Sequence, residues 1–218
     1  MRTRWRGSTF GDRLRPGDRF ATVDSALYPE GMSDALAQHI YQVRFEWGVS
    51  GFQALAGHSD VVVLADALPS VERRGSDGSH ATALGAHRVI AANFGNRAAV
   101  ADWVLQQQTE KGGRLSVAVI AIGESRPDGS LRLAVEDLLV AGAVIDAFAG
   151  IGIDHCSPEA AAASAAFVGL KRALRHLLTG SESGQAFHAM GSTRLVQEAS
   201  VLDNSTEVTE LHEFSFPG

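Results

Sequence analysis

The chain has 218 residues, 45% hydrophobic and 20% charged, enough apolar material for one full core at a length that favours a single domain. Its formal charge is −6, but residues 1–19 hold six arginines (Arg2, Arg4, Arg6, Arg13, Arg15, Arg19) against Asp12 and Asp18, leaving about −10 for the remainder, which argues against a body that binds nucleic acid. Cys156 is the single cysteine, so an internal disulfide and a cysteine metal cage are excluded, as expected in a reducing cytoplasm, and no apolar run nears the roughly 20 residues that span a membrane.

Residues 1–31, rich in Arg, Gly, Asp and Pro, are expected to form a weakly ordered basic extension. Their arginines precede no apolar stretch, so they do not make a secretory signal. Residues 32–218 read as one α/β domain. IYQVRFEW, Ile40 to Trp47, alternates like a half-buried strand. Val49 to Gly57 predicts a short helix closed by glycine, and DVVVLAD, Asp60 to Asp66, is the clearest strand in the chain. Asp66 ends that strand on a carboxylate. Burying an unpaired charge there costs several kcal/mol, so Asp66 has a chemical role, caps the next segment, or pairs with an arginine such as Arg73 or Arg74.

Pro69 to Ser79 is turn-forming, and Ser79 to Ala86 is expected to make two helical turns. His87 to Ala92 predicts a strand, Asn93 to Asn96 a turn and Arg97 to Gln107 an amphipathic helix. Leu115 to Ile122 lacks sustained polar alternation, as does a strand covered on both faces. The run stops at Gly123. Pro127, Asp128 and Gly129 then hold Glu124, Ser125, Arg126 and Asp128 in a loop past the strand's carboxyl end, the edge at which open α/β sheets bind ligands.

A helix is expected from Leu131, with Ala141-Gly142-Ala143 small enough to approach the sheet closely. Glu136 and Asp137 fall in its early turns, near the positive end of the helix dipole. Neighbours on a helix diverge by about 100°, so only one of them is expected to face the loop's ligand. Ser157 caps a further helix with Pro158 at its first position, which ends at Gly180. Ser183 to Leu202 reads as a helix pair broken at Gly191-Ser192, and 203–218 as a polar tail of little chemistry. Strands alternating with helices imply a mostly parallel sheet with helices on both faces.

Several motifs are absent. There is no GxxxxGK[ST], GxGxxG or HExxH, so a P-loop, a dinucleotide fingerprint and a zinc hydrolase find no support. His155 beside Cys156 is a poor nucleophile pair, because adjacent residues rarely face each other.

Four segments, DVVVLADAL (60–68), FGNRAAVADWV (94–104), AVIAIGESRPDGSLRLAVEDLLVAGAVI (118–145) and CSPEAAAA (156–163), together resemble the 2-phosphosulpholactate phosphatase family. The likeness runs from about Tyr41 to Asp203. It implies a three-layer α/β/α sandwich and a magnesium-dependent phosphatase that converts 2-phosphosulpholactate to sulpholactate and phosphate, a step toward coenzyme M in some organisms. Asp66 matches the family's strand-end aspartate, Asp77-Gly78-Ser79 its Asn-Gly-Thr or Asn-Gly-Ser segment, Asn96 its Arg-Asn-Ala turn, and Glu124, Glu136 and Asp137 its central carboxylates. Gly95 stands where the family has Arg, Asp77 where it has Asn, and Leu195 where it tends to have Asp. Only 67–77 separate the strand-end aspartate from the Asp-Gly-Ser segment, fewer residues than the family usually has.

By that resemblance Mg2+ is held by Asp66 with Glu136 or Asp137 and offsets phosphoryl charge. Arg126, or else Arg132, clamps the phosphoryl or a neighbouring sulphonate group, the Gly78 and Ser79 amides donate to phosphate oxygens, with Asp77 and Asn96 beside them, and Glu124 orients water. The partner implied is a small phosphorylated acid, with neither nucleic acid nor membrane. The competing expectation is an inactive relative serving as a binding or oligomeric scaffold. The small residues Ala160 to Ala166 would suit a homodimer contact or ordinary core equally.

Overall fold

Residues 38–68, 82–84, 87–214 and 216–217 are described by a computed structural model of the chain, all within one unit, Asp34–Gly218. In chain order the elements are β1 (Val43–Trp47), α1 (Gly48–Leu55), β2 (Val61–Ala65), β3 (Thr82–Ala83), β4 (Val89–Ala92), α2 (Arg97–Lys111), β5 (Val117–Ala121), β6 (Glu124–Ser125), β7 (Leu131–Arg132), α3 (Val135–Gly150), α4 (Pro158–Leu170), α5 (Leu174–Gly180), α6 (Glu182–Ala189), α7 (Thr193–Ala199), β8 (Glu210–Leu211) and β9 (Glu213–Phe214). The expected basic extension, residues 1–31, lies outside the described residues.

Five strands form the main sheet in the order β1-β5-β2-β4-β8. The first four run parallel, and β5 lies between β1 and β2, with Val119 beside Phe45 on one side and Val63 on the other. Strand alternation divides the core in two. Val61, Val63, Ala65, Val117, Val119 and Ala121 face a thick layer built by α2, α3 and α4, centred on Val100, Val104, Val144, Phe148 and Phe167. Val62, Leu64, Ala118 and Ile120 face a thinner layer of Phe52, Leu55 and Leu84, with Phe214 and Phe216 packed against it. The result is the expected mostly parallel α/β sandwich.

Local structure departs from the sequence expectation at six places, one being the helix expected from Ser157 to Gly180, which a 3-10 turn at Lys171–Ala173 divides into α4 and α5. Helix α1 runs into a 3-10 turn, Ala56–His58, rather than stopping on a glycine cap. Thr82 and Ala83 pair as a strand with Glu213 and Phe214 instead of turning as a helix. The expected start of α3 at Leu131 is moved to Val135, because Leu131 and Arg132 pair with Ser125 and Glu124 in a hairpin. Asp128 closes that hairpin by accepting from the Ser130 amide and hydroxyl. Gly142 makes its close approach to α4 rather than to the sheet, since a Cβ there would overlap the Ala163 carbonyl oxygen. The tail is structural: Leu211 and Glu210 pair antiparallel with Val89 and Ile90.

The Ser157 cap holds as expected, accepting from the Ala160 amide at 3.1 Å with Pro158 in the first turn. The helix pair α6 and α7 is broken at Gly191, whose φ is +73°.

Candidate functional site at the carboxyl edge of the sheet

The parallel strands β2 and β5 end side by side, and the segments that leave them carry most of the expected site residues. Asp66 follows β2 directly, is half-buried, and donates its amide to Ala92 O at 3.0 Å. Gly123 follows β5 with φ +71°, and a Cβ there would come within 2.7 Å of Arg132 O, so only glycine fits the turn.

Glu136 and Asp137 occupy the first turn of α3, 1% and 3% exposed. Their side chains meet different groups, as the angular divergence of neighbours requires. Asp137 faces the strand ends. Its Oδ1 accepts the Ala67 amide at 2.9 Å and its Oδ2 the Gly123 amide at 2.8 Å, so one carboxylate ties the ends of two neighbouring strands to the start of a helix. Burial, and then the charge of Asp66, push its pKa well above the ordinary aspartate range, with Glu136 adding to the rise and the Ala67 and Gly123 amides opposing it. Asp66 and Glu136 are thus the two carboxylates whose charge reaches Asp137.

Glu136 presents the opposite chemistry. Both of its carboxylate oxygens are buried and neither accepts a hydrogen bond. Its nearest cation is Arg132, with Nη2 3.8 Å from Oε1, beyond hydrogen-bond reach. Arg132 is itself held from the far side, donating Nη2 to Ser183 Oγ at 2.9 Å and lying with Nε 3.2 Å from Glu182 Oε2. Across the hairpin Glu124 stands opposite Arg132, which puts the two side chains on one face.

The two expected arginines therefore separate. Arg126 is exposed, and its Nη1 donates to Leu131 O at 2.7 Å within its own hairpin. Arg132 alone adjoins the buried carboxylates. Asn96 lies elsewhere, 6% exposed at the start of α2, with Nδ2 donating to Ala91 O and Glu207 O and Oδ1 accepting from the Asn93 amide. Its carboxamide is wholly committed to the fold. Gly95 is explained by the tail, because a Cβ would overlap Asn204 Oδ1, and Leu195 packs against the core. Asp77, Gly78 and Ser79, like Arg73 and Arg74, lie outside the described residues. Burial and Asp154 raise the Cys156 thiol pKa, which keeps it protonated and unsuited to nucleophilic work.

A magnesium ion commonly keeps several waters and takes one or two carboxylates. Glu136 fits that demand, having two buried acceptor oxygens without hydrogen bonds, and the charge of Asp66 acts on the neighbouring Asp137. Asp137 fits less well, because each oxygen already accepts an amide. Among the described residues no three His, Cys, Asp or Glu side chains form a group that could hold a metal ion. No helix among them is long and apolar enough to cross a membrane.

A family model described as 2-phosphosulpholactate phosphatase matches residues 75–213. No curated protein matches the chain. The matched span takes in the hairpin, Glu124, Arg132 and both carboxylates of α3, but begins after Asp66.

Proposed function

The chain belongs to the 2-phosphosulpholactate phosphatase family, and from that premise we propose that it is a magnesium-dependent phosphoric monoester hydrolase acting on a small phosphorylated acid such as 2-phosphosulpholactate. The observation that carries this reading is Glu136. A carboxylate 1% exposed with no hydrogen bond to either oxygen is expensive to keep, and a ligand that binds there offsets the cost.

Glu136 and Asp66 would hold the ion, which when bound offsets the negative charge on the phosphoryl oxygens. Arg132 is the cation placed to bind a phosphoryl or sulphonate oxygen. Glu182 and Ser183 fix its guanidinium from behind, so little side-chain freedom is lost when an anion docks. Glu124, on the same hairpin face, accepts a proton from the attacking water or orients it. Asp137 acts through the backbone: it holds Ala67 and Gly123 in place and so sets where Asp66 and Glu124 emerge. The Gly78 and Ser79 amides remain the proposed donors to the phosphate, with Asp77 beside them.

The test is phosphate release from a panel of phosphorylated carboxylic and sulphonic acids, with and without magnesium, by the full chain and by Glu136→Gln. Release that requires magnesium and is lost in a folded Glu136→Gln supports the reading. If no substrate is hydrolysed and magnesium leaves the melting temperature unchanged, the chain is a non-catalytic relative.

A further inference from the structure

The opposite end of the sheet carries a second charged site. Strands β1, β2 and β5 begin beside a cleft of about 340 Å³ whose lining includes His39, Tyr41, Arg44, Lys111, Arg114 and His155. The strands are five residues long, so this edge lies about 17 Å from the Asp66 edge at roughly 3.3 Å per residue.

Arg44 is the unusual member. It is 4% exposed, although alternation alone puts it on the solvent side of a half-buried strand. Its guanidinium meets only main-chain carbonyls: Nε donates to Tyr41 O at 3.0 Å, Nη1 to His58 O at 2.7 Å and Nη2 to His39 O at 3.5 Å. Among the described residues it makes no ion-pair contact, and the charge of Asp60 reaches it only at longer range, although buried charges are normally paired. Asp60 is the cleft's carboxylate, and it is committed elsewhere, accepting from Lys111 Nζ at 2.6 Å and from the Ser116 amide and hydroxyl at 2.7 and 2.8 Å. Arg114 makes no hydrogen bond or ion pair among the described residues. Three cations against one carboxylate leave the cleft at +2, on a chain of net charge −6.

We propose that this cleft binds a small dianionic oxyanion of the phosphate class, held by Arg114 and Lys111 over the buried Arg44 guanidinium. The charge balance matches a dianion, and its size suits a phosphate or a short phosphorylated molecule. The site is separate from the carboxyl-edge chemistry and does not depend on that edge being catalytic. Guanidinium groups favour such ligands because their fork of donors matches two oxygens at once.

The experiment is an amide chemical-shift titration of the full-length 15N-labelled chain with inorganic phosphate and with methylphosphonate. Ionic strength is held constant with chloride, and Arg114→Glu and Arg132→Ala are titrated in parallel. Saturable shifts at Tyr41, Gly113, Arg114 and Ser116 are expected in the wild type and in Arg132→Ala. Arg114→Glu should weaken apparent affinity about tenfold, as the loss of one charge-assisted contact predicts, with an unchanged melting temperature because Arg114 holds nothing in the fold. Tighter binding of methylphosphonate marks an organic phosphate as the natural source, and tighter binding of phosphate marks the free ion; either supports the site. The proposal is overturned if these amides do not move, move equally with chloride, or respond identically in Arg114→Glu, and also if shifts are confined to residues 123–136.

Discussion

The Asp137 carboxylate accepts the Gly123 amide at 2.8 Å, so the first turn of α3 is bonded directly to the turn that leaves β5. With its other oxygen on the Ala67 amide, Asp137 serves as a brace for the carboxyl edge. An amide in its place would turn an NH2 group toward one of those donors. Asp137→Asn is therefore expected to lower stability by about 1–3 kcal/mol, the cost of a buried donor left without an acceptor.

That loss should depend on pH. Because the folded-state pKa of Asp137 is raised, the native state binds this proton more tightly than the unfolded chain does. The stabilisation from the proton is fully present below the ordinary aspartate pKa and is lost as pH rises through the raised value. Urea unfolding of both proteins from about pH 4 to pH 8 should show the wild-type advantage over Asp137→Asn shrinking as pH increases. A difference that grows with pH would rule out this assignment.

Glu136→Gln should separate stability from activity. It removes a buried charge that accepts no hydrogen bond and relieves repulsion with Asp137, which outweighs losing the 3.8 Å ion pair with Arg132, because Arg132 keeps Glu182 and Ser183. Calorimetry is expected to show a melting temperature raised by about 2–6 °C, on the scale of roughly 2–4 °C per kcal/mol for a domain of this size. Magnesium-dependent phosphate release should fall by about 100-fold. A clear drop in melting temperature would mean that Glu136 is a structural group.

The two arginines of the hairpin should behave differently. Arg132→Ala is expected to lower kcat/KM by about tenfold or more, since it removes the cation beside Glu136. Arg126→Ala should leave it within about twofold, because that side chain is exposed and bonded to its own hairpin. Steady-state kinetics on the best substrate of the panel decides between them, and the reverse order would move the anion site to the hairpin tip.

Asn96→Ala tests a role in the fold against a role in binding. Removing the side chain leaves the Asn93 amide and the carbonyls of Ala91 and Glu207 without their carboxamide partner. A loss of about 2–3 kcal/mol is expected, with KM for any hydrolysed substrate unchanged. A raised KM at unaltered stability would return Asn96 to the substrate.

Much of this architecture was legible from residue order. Four branched apolar residues ending at Asp66, and a similar run ending at Gly123, announced buried parallel strands and their carboxyl ends, and the adjacent Glu136 and Asp137 announced a helix start beside them. Which of the two carboxylates would be committed to the backbone was not legible, because that depends on the relative height of two strand ends distant in sequence. The hairpin at Glu124 to Arg132 was hidden for a related reason: Leu131 fits a helical period as well as a strand, and pairing with Ser125 decides the matter. Arg44 looked solvent-facing because alternation carries no information on the carbonyls of Tyr41 and His58 that surround it. Strand β8 has only two residues, and Glu210 and Leu211 have no strand character apart from the edge of β4 that receives them.

That late edge strand has a consequence for biosynthesis. Among the described residues β8 is what covers the β4 border of the sheet, so a nascent or prematurely terminated chain that lacks residues 210–211 exposes a hydrogen-bonding template that another molecule can occupy. Trimming the protein before Thr209 should accordingly produce aggregation in the cell well before it produces any change in the chemistry at the far end of the strands.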